Sequence, residues 1–205
     1  MAAIPGEAPV SPSNPPSGPD SVPPASDAAP APRSARSNLR MWLRDVVISA
    51  AISVMIITFL YQPVRVEGTS MMPRLDNHDR LFINKFVYDF SSIKRGDVVV
   101  FHYPLDPAQS YIKRVIGLPG NRIKMVNGYV WINGKKLREA YVPTKYRGHY
   151  SMQTIVVPKN SYFLMGDHRT ISYDSRAFGP VKRSLIYGKA EFVYWPAKDA
   201  GAIKR

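Results

Sequence analysis

Ile123-Lys124-Met125-Val126, then Asn127-Gly128, then Tyr129-Val130-Trp131-Ile132: two strand-like runs meet at an Asn-Gly pair. Asn and Gly tolerate the positive φ that a two-residue hairpin turn demands, so the stretch predicts an antiparallel hairpin. Asn133-Gly134 supplies another turn directly afterwards. Further out, Leu81-Phe82-Ile83 and Val98-Val99-Val100-Phe101 are short β-favouring runs, the second introduced by the turn Lys94-Arg95-Gly96-Asp97. Thr154-Ile155-Val156-Val157 and Ser161-Tyr162-Phe163-Leu164-Met165 are expected to form a further strand pair. Helical periodicity is hard to find past residue 62, and no internal repeat is visible. The fold class is therefore mainly β, an antiparallel β-sheet domain over residues 63–205.

Before that domain runs an uninterrupted apolar segment, Val46 to Tyr61, with only Ser49, Ser53 and Thr58 as mild polar interruptions. As a helix it is about 24 Å long, short of a hydrocarbon core of roughly 30 Å; extension back to Met41 gives about 31 Å. Trp42 and Tyr61 then stand at opposite interfaces, where amphipathic rings are favoured. A cleavable signal peptide needs small residues after the apolar run, and Tyr61-Gln62-Pro63-Val64-Arg65 does not supply them. A core helix would show a polar face, and none is visible. Residues 39–62 are expected to be a transmembrane anchor. The Arg33–Arg44 cluster, with only Asp45 as acidic neighbour, keeps the amino end cytoplasmic and sends residues after 62 outside.

The leader, residues 1–38, is Pro/Ala-rich: ten of the nineteen prolines fall in its first 32 residues. It offers little large apolar surface to bury and is expected to be disordered. The net charge of +13 is uneven: four Lys and Arg balance four Asp and Glu through residue 45, leaving 24 against 11 beyond. Such a basic domain suits nucleic acid or anionic lipid headgroups. No basic-aromatic recognition motif stands out, so membrane lipid is favoured and no nucleic acid is expected. The absence of cysteine excludes disulfides, thiolate nucleophiles and Cys-ligated metals. His78, His102, His149 and His168 are too scattered to form a recognisable metal motif.

Chemistry is suggested by Gly68-Thr69-Ser70-Met71-Met72-Pro73 and by Tyr111-Ile112-Lys113-Arg114-Val115-Ile116-Gly117-Leu118-Pro119-Gly120. A serine hydroxyl needs a base within hydrogen-bond reach, and lysine can serve only when neutral. Burial among apolar groups lowers a lysine pKa because desolvation penalises the ammonium. Strand alternation puts Lys113 and Val115 on one face and Ile112, Arg114 and Ile116 on the other, which allows an inward lysine. Each residue alone has a plain structural reading: an edge lysine, a turn serine. A third element joins them, Gly166-Asp167-His168-Arg169 to Ser172-Tyr173-Asp174-Ser175-Arg176, where Arg-carboxylate pairing can build a rigid wall.

Four stretches occur in order: Gly-x-Ser-Met-x-Pro at 68–73, Arg-Gly-Asp-Val-Val at 95–99, Tyr-Ile-Lys-Arg-Val-x-Gly-Leu-Pro-Gly at 111–120, and Gly-Asp-x-Arg with Ser-x-Asp-Ser-Arg inside 166–176. With them the chain resembles the type I signal peptidases, membrane-bound Ser-Lys proteases that remove signal peptides from exported proteins. The resemblance implies Ser70 as nucleophile, Lys113 as general base and later acid, and Ser172 as the serine that orients the lysine. It implies an ion pair of Asp174 with Arg176 and supporting roles for Asp167 and Arg169. Val64, Val66, Leu75 and Ile112 would form shallow apolar pockets for small residues at −1 and −3. The Ser70 backbone and the Gly68 region would receive the oxyanion, with no metal and no cofactor. Partners would be signal-peptide-bearing preproteins and membrane lipid, with the chain a single-pass monomer in the cell membrane.

Three positions depart from the family pattern. Gly68 stands where some members place an oxyanion-donating serine, Asn121 follows Leu-Pro-Gly in place of Asp, and His168 follows Gly-Asp in place of Asn. The rival readings are a specialised Ser-Lys maturation peptidase of a conjugation or export pathway, and an inactive membrane-docking homologue. A Ser70–His168–Asp174 triad is also conceivable, but it leaves the Lys113 stretch without a purpose.

Overall fold

The computed structural model describes residues 35–205, with side chains from Leu39 onward. The expected disordered leader lies, through residue 34, outside the described residues. The first described element is helix α1, Ala35–Leu60. Its stretch Leu39–Leu60 is 22 residues, long and apolar enough to cross a membrane, and none of it is buried. Ser53 and Thr58 turn their hydroxyls back onto the Ser49 and Val54 carbonyls, which removes two polar groups from the helix surface. The helix stops at Leu60. Tyr61, expected as an interface residue of the apolar segment, instead opens strand β1, Tyr61–Arg65.

The unit Val47–Arg205 carries the sheets. After β1 come β2 (Arg80–Asn84), the single turn α2 (Val87–Phe90), β3 (Val98–Tyr103) and the long β4 (Asp106–Gly117). The predicted hairpin follows as β5 (Arg122–Val126) and β6 (Tyr129–Ile132), with Val126 opposite Tyr129 and Ile123 opposite Ile132. Asn127 and Gly128 take φ of 48° and 76°, the left-handed pair this turn needs. Then come β7 (Lys135–Lys136), α3 (Thr144–Arg147), β8 (Met152–Val156), β9 (Ser161–Met165), α4 (Ser175–Phe178), β10 (Val181–Lys182), β11 (Ile186–Trp195) and β12 (Gly201–Ala202).

Two antiparallel sheets result. The larger runs β1-β2-β11-β3-β4-β9-β10 with β12 added on β11; the smaller runs β7-β6-β5-β8. The runs at 154–157 and 161–165, expected to pair with each other, do not. β8 pairs with β5 in the small sheet, while β9 pairs with β4 in the large one. Val157 is held to the backbone of Asn121 and Gly120, and Asn160 takes φ of 56°, so the intervening turn carries the chain between sheets.

Alternation on β3 divides the core. Val98 and Val100 pack with Leu81, Ile83, Leu75 and Val193 on one face. Val99 and Phe101 pack with Val115, Leu164 and Ile186 on the other. A third cluster, including Ile116, Ile123, Met125, Phe163 and Met165, fastens the small sheet to the large one. β4 contributes to both sides, so its centre is a rigid place to mount a buried lysine.

Candidate active site

Gly68 begins the loop after β1 with φ of 96°, a conformation that favours glycine. Its N–H donates to Asn77 Oδ1 at 2.9 Å. Met71 and Leu75 are buried in the core and pin the loop from below. From the other side the His168 backbone N–H donates to the Ser70 carbonyl at 3.0 Å. Ser70 is thus fixed by packing and by backbone.

Lys113 stands on β4 opposite Val99 of β3 and is 5% exposed. Its Nζ lies 2.6 Å from Ser70 Oγ. Burial works against the ammonium and, helped by the Arg176 charge, outweighs the attraction of Asp174 and Asp167, so the Lys113 pKa falls to about 8. A nucleophile and a base able to be neutral near physiological pH are within one hydrogen bond of each other.

Beside them opens a cavity of about 340 Å³, whose walls include Val64, Val66 and Ile112 together with Ser70 and Lys113. Three of the four expected pocket residues are therefore brought to the site. Leu75 is not: it is 0% exposed in the core under the loop and does not line the cavity. Ile83, Val100 and Tyr187 complete the apolar wall, and sequence reasoning missed them because Ile83 and Val100 read as ordinary strand residues.

The wall of buried ion pairs exists with different partners. Asp174 and Arg176 pair as expected, with Nε–Oδ1 and Nη2–Oδ2 both 2.8 Å. Burial alone would raise the Asp174 pKa; the Arg176 bonds and charge, the Ser172 hydroxyl and the Gly166 N–H outweigh it and hold the carboxyl below its ordinary value. Asp167 does not pair with Arg169. It takes both arms of Arg114, at 2.8 and 2.7 Å, with both side chains fully buried. Arg169 pairs with Glu139, which also holds Arg147 at 3.1 Å, and donates through Nε to the Gly166 carbonyl at 2.9 Å. Arg114 and Glu139 are the structural residues that the motifs did not flag.

Ser172 is close to the site but makes no bond to Lys113. Its Oγ is buried beside the Asp174 carboxylate, which it helps to keep charged. A Cβ placed on Gly166 would stand 2.3 Å from Ser172 Oγ and 2.4 Å from the Ser70 carbonyl oxygen, so only glycine lets these two segments meet. The Gly68 N–H, expected near the oxyanion, is already engaged by Asn77. No acceptor engages the Ser70 N–H among the described residues, and it is left to receive one.

Two of the three departures from the family pattern find partners in the fold. Asn121 Oδ1 accepts from the Leu118 N–H and from Arg95 Nη2, both at 3.0 Å. The His168 ring packs on Tyr146, centroids 4.0 Å apart, and Asp174 is occupied by Arg176, so a Ser70–His168–Asp174 triad is not assembled.

The family model described as "Signal peptidase, peptidase S26" matches residues 39–195. The chain is similar to Signal peptidase I of Bacillus caldolyticus, 39% identical over 170 residues, covering 77% of this chain and 90% of that one. It is similar to Signal peptidase I P of Bacillus subtilis subsp. natto, 38% identical over 170 residues, covering 78% and 91%. Among solved structures, a signal peptidase I from Enterococcus faecalis matches at 31% identity and a TM-score of 0.43, over 48% of this chain and 97% of that one. The match spans the candidate anchor, the Ser70 loop, the Lys113 strand and the ion-paired wall, and the chain belongs to the signal peptidase family, peptidase S26, as an enzyme of that family.

Proposed function

We propose that this chain is a single-pass membrane serine endopeptidase that cuts signal peptides from exported preproteins after small residues at −3 and −1. The observation that carries the reading is the buried Lys113 Nζ at 2.6 Å from Ser70 Oγ. Neutral Lys113 takes the Ser70 proton as Oγ attacks the scissile carbonyl. The oxyanion that forms meets the Ser70 N–H, whose fixed position costs no reorganisation in the transition state. Protonated Lys113 then gives its proton to the departing amine, which leaves as the new N-terminus of the mature protein. The neutral lysine then takes a proton from a water that attacks the acyl-enzyme, and returns it to Ser70 Oγ as the C–O bond breaks.

The 340 Å³ cavity supports the preference for small residues. Val64, Val66 and Ile112 offer apolar contact on a lining that also carries Arg65, Glu67 and Ser110, and the selection proposed at that apolar part is steric. Ser172, with its hydroxyl buried close to Ser70 and Asp174, is the group proposed to orient Lys113 as its charge changes. The apolar Leu39–Leu60 stretch supports anchoring, with the Arg-rich amino side cytoplasmic and the sheets outside, against anionic lipid.

The test is cleavage of a peptide carrying Ala-x-Ala before the scissile bond, in detergent, by wild type, Ser70→Ala and Lys113→Ala. Wild type alone is expected to cut, after the second Ala, with both variants down by roughly 10⁴-fold. Cleavage by Lys113→Ala at the wild-type rate would remove Lys113 as base.

A further inference from the structure

On the far side of Ser172 lies a second cavity, about 570 Å³, lined by Arg147, His149, Arg169, Ser172 and Arg176 among others. No carboxylate lines it. The nearby acids are spent: Glu139 holds Arg147 and Arg169, and Asp174 holds Arg176 and the Gly166 N–H. Three guanidinium groups therefore face two carboxylates, and positive charge is left over. Arg169 is 2% exposed, and its Nη1, closed off behind the cavity wall, has no partner. Arg176 binds through Nε and Nη2 only, which leaves its Nη1 unused. A wall with surplus positive charge and a free Arg176 N–H suits an oxyanion, since charge-assisted hydrogen bonds are the strong ones.

We propose that this cavity is a carboxylate-binding subsite for an acidic side chain of the substrate, on the leaving-group side of the cut. It rests on the reading of Ser70 as nucleophile. If the residues before the cut occupy the apolar cavity at Val64, Val66 and Ile112, the chain continues across Ser70 away from it. Ser172 meets Ser70 at Gly166 and is also part of the second cavity's wall. An extended chain advances about 3.3 Å per residue, so a side chain within the first four residues after the cut comes over the cavity. There the Arg176 Nη1, unused by Asp174, offers an N–H to the carboxylate, and the surplus guanidinium charge holds it.

The test uses the full chain in detergent and peptides sharing one Ala-x-Ala sequence, with Asp or Asn, Glu or Gln, at each of the first four leaving-side positions. One acidic position is expected to lower KM about tenfold relative to its amide, with kcat nearly unchanged. Arg147→Gln should shrink that ratio, which is internal to each enzyme and so insensitive to a general loss of activity. Inorganic phosphate should raise KM for the acidic peptide and spare the amide peptide. Equal KM for acid and amide at every position, with the amide peptides still cut, overturns the subsite and leaves the peptidase reading standing. Failure to cut any peptide overturns both. Inhibition by phosphatidylglycerol vesicles without any acid preference assigns the cavity to a lipid headgroup and overturns the substrate claim.

Discussion

With 5% of its surface exposed and its Nζ 2.6 Å from Ser70 Oγ, Lys113 holds a proton that burial works against. In the unfolded chain the proton stays until about 10.5; in the fold it leaves near 8. Between those values the unfolded chain binds more protons, so stability rises with pH across that window. Below pH 8 the folded protein bears the whole cost of the buried charge. Lys113→Met is therefore expected to stabilise the protein by about 2–3 kcal/mol at pH 7 while abolishing cleavage. Urea unfolding of both proteins at pH 7 and pH 10 checks it: the advantage should fade at the higher pH, and an equal advantage at both would refute the burial argument. Gly166 belongs to the same scale. An added methyl would collide with Ser172 Oγ and the Ser70 carbonyl, so Gly166→Ala is expected to lower kcat about 100-fold by shifting the nucleophile. A near-normal kcat in a folded variant would show that the contact has slack.

At the scale of elements, legibility in the sequence followed the range of the interaction. The β5–β6 hairpin was legible because its turn chemistry is written in two adjacent residues. The Asp174–Arg176 pair was legible through the resemblance, whose motif holds both members. Asp167–Arg114 and Arg169–Glu139 are set by tertiary placement, and nothing local marks them. β11 escaped notice although it is central to the large sheet. Its inward positions include Gly188 and Ala190, and a Cβ on Gly188 would stand 2.3 Å from Ile83 Cγ2. Close approach of β2 demands small residues there, which removes the β-branched signature of a buried strand. Leu75 shows the converse error: a motif neighbour assigned to a pocket proves to be core. Leu75→Ala should cost about 2–5 kcal/mol in denaturant unfolding and leave the preference for small residues at −1 and −3 unchanged. A relaxed preference with intact stability would return Leu75 to the pocket.

For the whole molecule, the proposed economy is one apolar helix that holds a basic β domain at the membrane, where its substrates emerge. Leu39–Leu60 at 1.5 Å per residue reaches about 33 Å, enough to span. Ala50→Arg places a charge near the middle of that stretch, at a cost of about 2.5–3.5 kcal/mol for insertion. The variant is expected to shift from the carbonate-resistant membrane pellet toward the soluble fraction; an unchanged pellet would argue against a spanning helix. The intact enzyme also reports its base directly, through the pH dependence of kcat/KM on an Ala-x-Ala peptide between pH 6 and 10. Because only neutral Lys113 can take the Ser70 proton, activity should rise tenfold per pH unit at the acid end and level off above an apparent pKa of about 8. A profile flat across that range, or one still climbing at pH 10, would contradict a buried, neutral lysine as the general base.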